Sequence, residues 1–472
     1  MIRLEDVRWV YEGGDTAVLD GLNLRIERGE TVVLCGRSGS GKSSVLRLMN
    51  GLIPHFHAGA LHGRVRVGGA PITDLAQVGR VTGSVLQHPR RQFFTDAVDT
   101  ELAFALENFG VPPQIIRARV DAVIAEFGLG ELTGRLRELS GGQQQRVACA
   151  GAVAHEPPLV LLDEPTSNLS ASAVAELGAV LRHLREQGAT LVIAEHRLHY
   201  LRDLADRIVM VGDGRVEQDW DRRDFAALTE DTLRGLGLRS LDEPECGKIA
   251  AAFAHGLSVV PSGSEEDAVA TTGVELRDIR CGFRGRPILD IAEAQLPAGV
   301  ITAVTGPNGV GKSTLARILA GLQRHAGEVF LDGRPLSRSR RQRESAIVMQ
   351  DVQRQLFTDS VTAELRLGTM ADRAEIADVL TGFDLDGLGE RHPLSLSGGQ
   401  QQRLAVAVAG LSGRRIVIFD EPSSGVDRRH LRRVTRAMRD VAAGGAVVVL
   451  ISHDTELLTR AADQELRLRP IG

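Results

Sequence analysis

The chain has 472 residues, of which 25% are charged and 43% hydrophobic, with a formal net charge of -5. That balance argues against a broad basic face, so no nucleic-acid partner is expected. The longest apolar runs, such as Ala446 to Ile451, fall far short of the roughly 20 residues that cross a bilayer, so any membrane role must be lent by a partner.

The opening Met-Ile-Arg-Leu-Glu-Asp puts charge where a signal peptide needs an apolar stretch, and no secretion is expected. Cys35, Cys149, Cys246 and Cys281 lie far apart with no Cys-x-x-Cys pair. This spacing argues against zinc, an iron–sulfur cluster or a redox site, and for reduced thiols in a cytosolic protein.

Along the chain, short β-branched runs alternate with helical patterns in both halves, which predicts an α/β fold with a mainly parallel sheet. Thr31 to Cys35 reads as a strand entering Gly36-Arg37-Ser38-Gly39-Ser40-Gly41-Lys42-Ser43-Ser44, and Ser43 to Asn50 as the helix that opens on this loop. Glycines let the backbone approach phosphates, the helix N-terminus favours negative charge, and Ser43 can ligate Mg²⁺. Lys42 is one of three lysines among 56 basic residues. A compact ammonium retained in an arginine-rich chain marks a place where a planar fork would not fit.

Gln87 follows an apolar run and could reach a metal or an attacking water. Leu139-Ser140-Gly141-Gly142-Gln143 reads as a helix start with Ser140 as the capping hydroxyl. Leu159 to Asp163 is an apolar strand ending in Asp163-Glu164, where α/β sheets place ligands. Asp163 suits a Mg²⁺ shell and Glu164 can polarise water. His196 ends a further apolar strand, where an imidazole could bond a γ-phosphate.

Between the halves, Ser240 to Thr272 is acidic and punctuated by proline and glycine, which predicts a solvated linker with one short helix around Lys248 to Ala254. The expected domains are 1–240 and 273–472, with residues 241–272 between them.

The second half repeats every element. Ile301 to Thr305 leads into Gly306-Pro307-Asn308-Gly309-Val310-Gly311-Lys312-Ser313-Thr314, with a helix from Ser313 to Ala320. Gln350, Leu396-Ser397-Gly398-Gly399-Gln400, Asp420-Glu421-Pro422 and His453 follow in the same order. From Ser140 to His196 the offset is a constant 257 residues. Upstream it grows, so the first half carries longer insertions there. An isolated Gln, His or Asp-Glu pair is ordinarily a solvated surface group; recurrence of the whole set in one order is what marks a nucleotide site.

This set resembles the ATP-binding-cassette (ABC) ATPases, a P-loop NTPase family, over nearly the whole chain outside the linker. The resemblance implies ATP and Mg²⁺ as cofactors, and in each domain a mainly parallel core sheet with an antiparallel β subdomain and a helical subdomain. It also implies an intramolecular head-to-tail dimer. One site would combine Lys42, Ser43, Gln87, Asp163, Glu164 and His196 with Ser397, Gly398 and Gly399. The other would combine Lys312, Ser313, Gln350, Asp420, Glu421 and His453 with Ser140, Gly141 and Gly142. Tyr11 and Phe283 stand where the family stacks an aromatic on adenine.

Gln87-His-Pro-Arg-Arg-Gln92-Phe-Phe-Thr-Asp-Ala-Val, repeated as Gln350-Asp-Val-Gln-Arg-Gln355-Leu-Phe-Thr-Asp-Ser-Val, looks like the ATPase of energy-coupling-factor (ECF) importers. That narrower resemblance implies a transmembrane coupling subunit and a small substrate-binding membrane protein as partners, a place on the cytoplasmic face of the membrane, and import of a vitamin, vitamin precursor or metal ion. The alternatives are a soluble tandem-cassette ATPase acting on ribosomes or nucleic acid, and a fused sugar-importer ATPase. The acidic linker and absence of cysteine pairs speak against the first, and two intact motif sets against the second. One departure stands out: Ser170 occupies the position of Asp427, so the site built on Lys312 and Ser140 is expected to be perturbed but not dead.

Overall fold

Thr31–Cys35 is buried along its whole length, as a β-branched run covered on both faces of a parallel sheet should be. In the computed structural model, which describes residues 1–242 and 272–471 apart from Asp15, His88, Thr133, Asn168, Arg284, Gly285 and Ser424, this strand is the middle of a six-stranded sheet. The order is Arg215–Asp221, Arg207–Gly212, Thr31–Cys35, Thr190–Ala194, Leu159–Asp163 and Thr82–Val85. All neighbours run parallel except the first pair. The short helix expected around Lys248 to Ala254 lies outside the described residues.

A second, antiparallel sheet contains Leu19–Ile26, Ile2–Tyr11, Gly59–Val67 and Ala70–Pro71. Ile2, Leu4, Val7 and Trp9 point into a core between it and one face of the parallel sheet. The alternation slips between Leu4 and Val7, where Asp6 takes φ 50° and the register shifts. Gly63 is required opposite this bulge, because a Cβ there would come within 2.3 Å of the Asp6 carbonyl oxygen. Asp278 and Gly327 repeat the arrangement in the second half, with 2.2 Å between a Cβ at Gly327 and the Asp278 oxygen.

Helices Val98–Asn108, Pro113–Glu126 and Gly141–Val153 form the helical part of the first unit, and their apolar faces join a core reaching the other face of the sheet. The chain divides into two compact units after Asp242. In the second unit, five parallel strands run in the order Ser345–Val348, Ile416–Asp420, Val447–Ile451, Ile301–Thr305 and Gln464–Arg467. An antiparallel sheet of Arg286–Pro297, Gly273–Phe283, Ala326–Leu331 and Arg334–Pro335 accompanies it. The α/β class with parallel, antiparallel and helical parts in each half is as expected. In both units the glycine-rich loop, the Asp-Glu pair, the Gln and the His all leave the C-terminal ends of parallel strands, the edge where such sheets bind ligands.

Candidate active site

Each glycine-rich loop is shaped by backbone that only glycine adopts without strain. Gly36 and Gly41 take φ 131° and 103°, and a Cβ at Gly36 would stand 2.2 Å from the Val211 carbonyl oxygen. A Cβ at Gly39 would meet nothing within 4 Å, so the middle of the loop faces open space. The same holds at Gly309, while Gly306 packs against the Leu468 carbonyl. Helices Lys42–Met49 and Lys312–Leu319 begin at these loops with no side chain capping them and no acidic residue in the first turn. The expected helices start one residue later, at Ser43 and Ser313.

The Lys42 ammonium is buried and donates to the Gly36 and Arg37 carbonyls at 3.0 and 2.9 Å. Lys312 donates to Gly306 and Pro307 at 2.7 and 3.0 Å. Burial lowers the Lys312 pKa, against the pull of the Glu421 and Asp420 charges. An uncapped helix N-terminus, an open loop and an ammonium fit the phosphates of a nucleotide.

Ser43 Oγ donates to Asp163 Oδ1 at 3.0 Å. Burial and the adjacent Glu164 charge push Asp163 up to about 6, with the Ser43 hydroxyl, Arg47 and Lys42 holding it back. Burial likewise raises Asp420, opposed by the Ser313 hydroxyl. A hydroxyl beside a carboxylate is an oxygen pair suited to Mg²⁺.

Glu164 and Glu421 sit at φ 45° and 54°, a left-handed conformation unusual for a side chain of this length. It is held by backbone bonds from Glu164 N to the Ala194 oxygen and from Glu421 N to the Ile451 oxygen, both 2.8 Å. Gln87 Nε2 donates to Glu164 Oε2 at 2.7 Å, Ser167 Oγ approaches to 3.3 Å, and His196 Nε2 lies 3.4 Å from Oε1. Burial works against ionisation of Glu164, but His196, Lys42 and Ser167 outweigh it and bring the carboxyl down to about 2. It is therefore a carboxylate at neutral pH, able to accept a hydrogen bond from water. Glu421 accepts from Ser452 Oγ at 3.2 Å and from the His453 amide at 3.3 Å, and His453 Nε2 lies 3.9 Å from it. Gln350 is exposed.

Ser140 and Ser397 cap helices Gly141–Val153 and Gly398–Leu411, as expected. Each hydroxyl accepts from the Gln three residues on at 3.3 Å, while that Gln returns its carbonyl to the serine amide at 2.9 Å. Ser170 and Asp427 also cap helices, accepting from Ala173 N at 3.3 Å and His430 N at 2.9 Å. Ser170 thus keeps the cap and loses the charge. Tyr11 OH lies 3.0 Å from Ser44 Oγ and accepts from Arg47 at 3.1 Å, which ties this aromatic to the phosphate-loop helix. Phe283 is exposed at the end of its strand. A residue that motif reading passes over is Glu195, buried beside His196; its signal was the pair Glu195-His196 standing where the second half has Ser452-His453.

The family model described as ABC transporter matches residues 19–167 and 289–424, covering both phosphate loops and both Asp-Glu pairs. The chain belongs to the ABC transporter family. It is similar to a putative ABC transporter ATP-binding protein of Treponema denticola, 41% identical over 474 residues that cover 99% of this chain and 95% of that protein. It is also 31% identical to the putative HMP/thiamine import ATP-binding protein YkoD of Bacillus subtilis, over 100% of this chain and 90% of the relative. The solved structure of an RNase-L inhibitor matches 98% of this chain and 88% of its own with a TM-score of 0.61 at 20% identity, a likeness of fold alone. This ABC transporter ATPase binds and hydrolyses ATP through two tandem cassettes. Among the described residues, no helix is long and apolar enough to cross a membrane.

Proposed function

We propose that this ATPase energises import of a small molecule, a vitamin, vitamin precursor or metal ion, as the ATP-hydrolysing subunit of an ECF-type transporter. Its partners would be a transmembrane coupling subunit and a small substrate-binding membrane protein, with the chain peripheral on the cytoplasmic face. The observation that carries this reading is a matched pair of exposed aromatics. Phe94 and Phe357, 73% and 76% exposed, stand at the same place after Gln87 and Gln350. Each is presented by a buried carboxylate. Glu101 accepts from the Phe94 and Thr95 amides and the Thr95 hydroxyl, and Glu364 does the same for Phe357 and Thr358. A single exposed aromatic needs no explanation, but two held by the same buried-carboxylate turn at the same place in both halves suit a surface that a partner covers. The relative named for HMP/thiamine import supports the substrate class.

In this reading the domains are 1–240 and 273–472, and each ATP lies between the phosphate loop of one and the capped serine helix of the other. Lys42 and Lys312 hold the outer phosphates. Ser43, Gln87 and Asp163, and Ser313, Gln350 and Asp420, hold Mg²⁺, which when bound offsets phosphate charge. Glu164 and Glu421 orient the attacking water, and His196 and His453 bond the γ-phosphate side. Tyr11 and Phe283 face adenine.

The test is replacement of Phe94 and Phe357 together by Ala. Membrane association and recovery of a membrane partner should be lost while the purified chain keeps its ATP turnover within about twofold. Association with ribosomes instead of membranes would overturn the reading in favour of the soluble alternative.

A further inference from the structure

The loop carrying His196 is organised around a carboxylate that the repeat does not share. Glu195 is 3% exposed, and five donors converge on it. Its Oε1 accepts from the His196 and Arg197 amides at 2.7 and 3.1 Å. Its Oε2 accepts from the Thr166 hydroxyl at 2.6 Å, the Tyr200 hydroxyl at 3.2 Å and the Thr166 amide at 3.4 Å. Thr166 stands two residues beyond Glu164, in the turn after Asp163-Glu164-Pro165. One side chain thus joins the loop that follows Leu159–Asp163 to the loop that follows Thr190–Ala194.

The second unit uses other means. Ser452 replaces Glu195 and donates directly to Glu421 Oε2, while its hydroxyl also accepts from the Asp454 amide at 3.0 Å. His453 Nε2 then stands 3.9 Å from Glu421, against 3.4 Å between His196 and Glu164.

We propose that Glu195 is a positioning residue for hydrolysis in the first unit alone: it fixes His196 and the Thr166 turn against each other, and so sets His196 against Glu164. The inference rests on the reading of Glu164 and Glu421 as the carboxylates that orient water. A buried carboxylate with every lone pair occupied is a rigid hub, and removing it leaves several buried donors unsatisfied at once. The loss falls on the geometry of His196 and not on the phosphate loop. Its mark is slower chemistry at unchanged ATP affinity.

The experiment compares Glu195→Ser, which installs the residue of the second unit, in full-length Glu421→Gln and Glu164→Gln backgrounds, by single-turnover phosphate release and by ATP titration. In Glu421→Gln, where hydrolysis falls to the first unit, Glu195→Ser should slow release about tenfold with ATP half-saturation unchanged. In Glu164→Gln it should change neither. Glu195→Gln keeps a carbonyl oxygen for the His196 and Arg197 amides and should recover most of the loss. Equal slowing in both backgrounds, or a shift in ATP affinity, would mean a general structural role and overturn the inference. No slowing in either would overturn it too. If Glu164→Gln and Glu421→Gln each leave hydrolysis intact, the reading of the carboxylates is wrong, and the inference falls with it.

Discussion

Gln87 donates to Glu164 across 2.7 Å, whereas Gln350, its counterpart in the second unit, is exposed. The two carboxylates proposed to orient water thus differ in this contact, and Ser452 donates to Glu421 where the first unit has Glu195 in its place. Together with Ser170 in place of Asp427, this predicts unequal sites. Glu164→Gln should lower steady-state ATP turnover by roughly 10²-fold, and Glu421→Gln by about tenfold less than that. Phosphate release by the two single variants measures it, and equal losses would refute the asymmetry.

Much of this was legible in the sequence because it depends on order and spacing. A strand, a glycine-rich loop and a helix are local, and Thr31–Cys35 and Ile301–Thr305 have the bounds their β-branched runs predict. The serine caps are local too, since a hydroxyl reaches the amide three residues on. What spacing cannot carry is contact between loops distant in sequence. Gln87 meets Glu164 across 77 residues, and Glu195 meets Thr166 across 29. Asp384 accepts from Arg429 across 45 residues, and no spacing in the sequence announces it.

Lys42 and Lys312 offer the sharpest loss of function. Both are buried and donate to carbonyls of their own loops, and in the proposed reading their charge faces the phosphates. Lys42→Ala with Lys312→Ala should abolish ATP turnover to below about 1% and remove the thermal stabilisation that ATP gives the parent chain. In the proposed import role, uptake in cells that depend on this chain should stop as well. Unchanged turnover would rule out the phosphate-loop mechanism.

Glu101 and Glu364 allow presentation of the apolar turns to be separated from catalysis. Each carboxylate gathers two amides and a hydroxyl to hold a Phe-Thr turn. Glu101→Ala with Glu364→Ala should release both turns. ATP hydrolysis by the purified chain should stay within about threefold, while transport coupled to the membrane partner falls at least about tenfold. The ratio of uptake to phosphate released is the readout, and an unchanged ratio would show that the turns transmit nothing.

Asp384 follows the helix Arg373–Gly382 at φ 51°, where the first unit places Gly128 at φ 59° after Phe127. A non-glycine residue accepts that conformation at some cost, and here the return is ionic. Its carboxylate pairs with Arg433, lies 3.3 Å from Arg429 and 3.2 Å from His430 Nε2, while His430 Nδ1 lies 2.8 Å from Asp427. Burial raises the Asp384 pKa, but Arg433, Arg429 and His430 outweigh it and hold the carboxyl below its usual value. A carboxylate depressed in the folded state contributes stability above its unfolded pKa and loses it as pH falls through the folded one. Asp384→Asn keeps the shape and tolerates the left-handed backbone. It should therefore cost the second unit roughly 1 kcal/mol at pH 7, a modest figure because the group remains partly exposed. The difference should persist down to the ordinary carboxylate range near 4 and shrink only below it, as pH falls through the depressed folded value. Urea unfolding of both proteins at pH 7 and at about pH 2, below the carboxylate range, measures it, and an equal deficit at the two values would show that the charge at Asp384 contributes nothing.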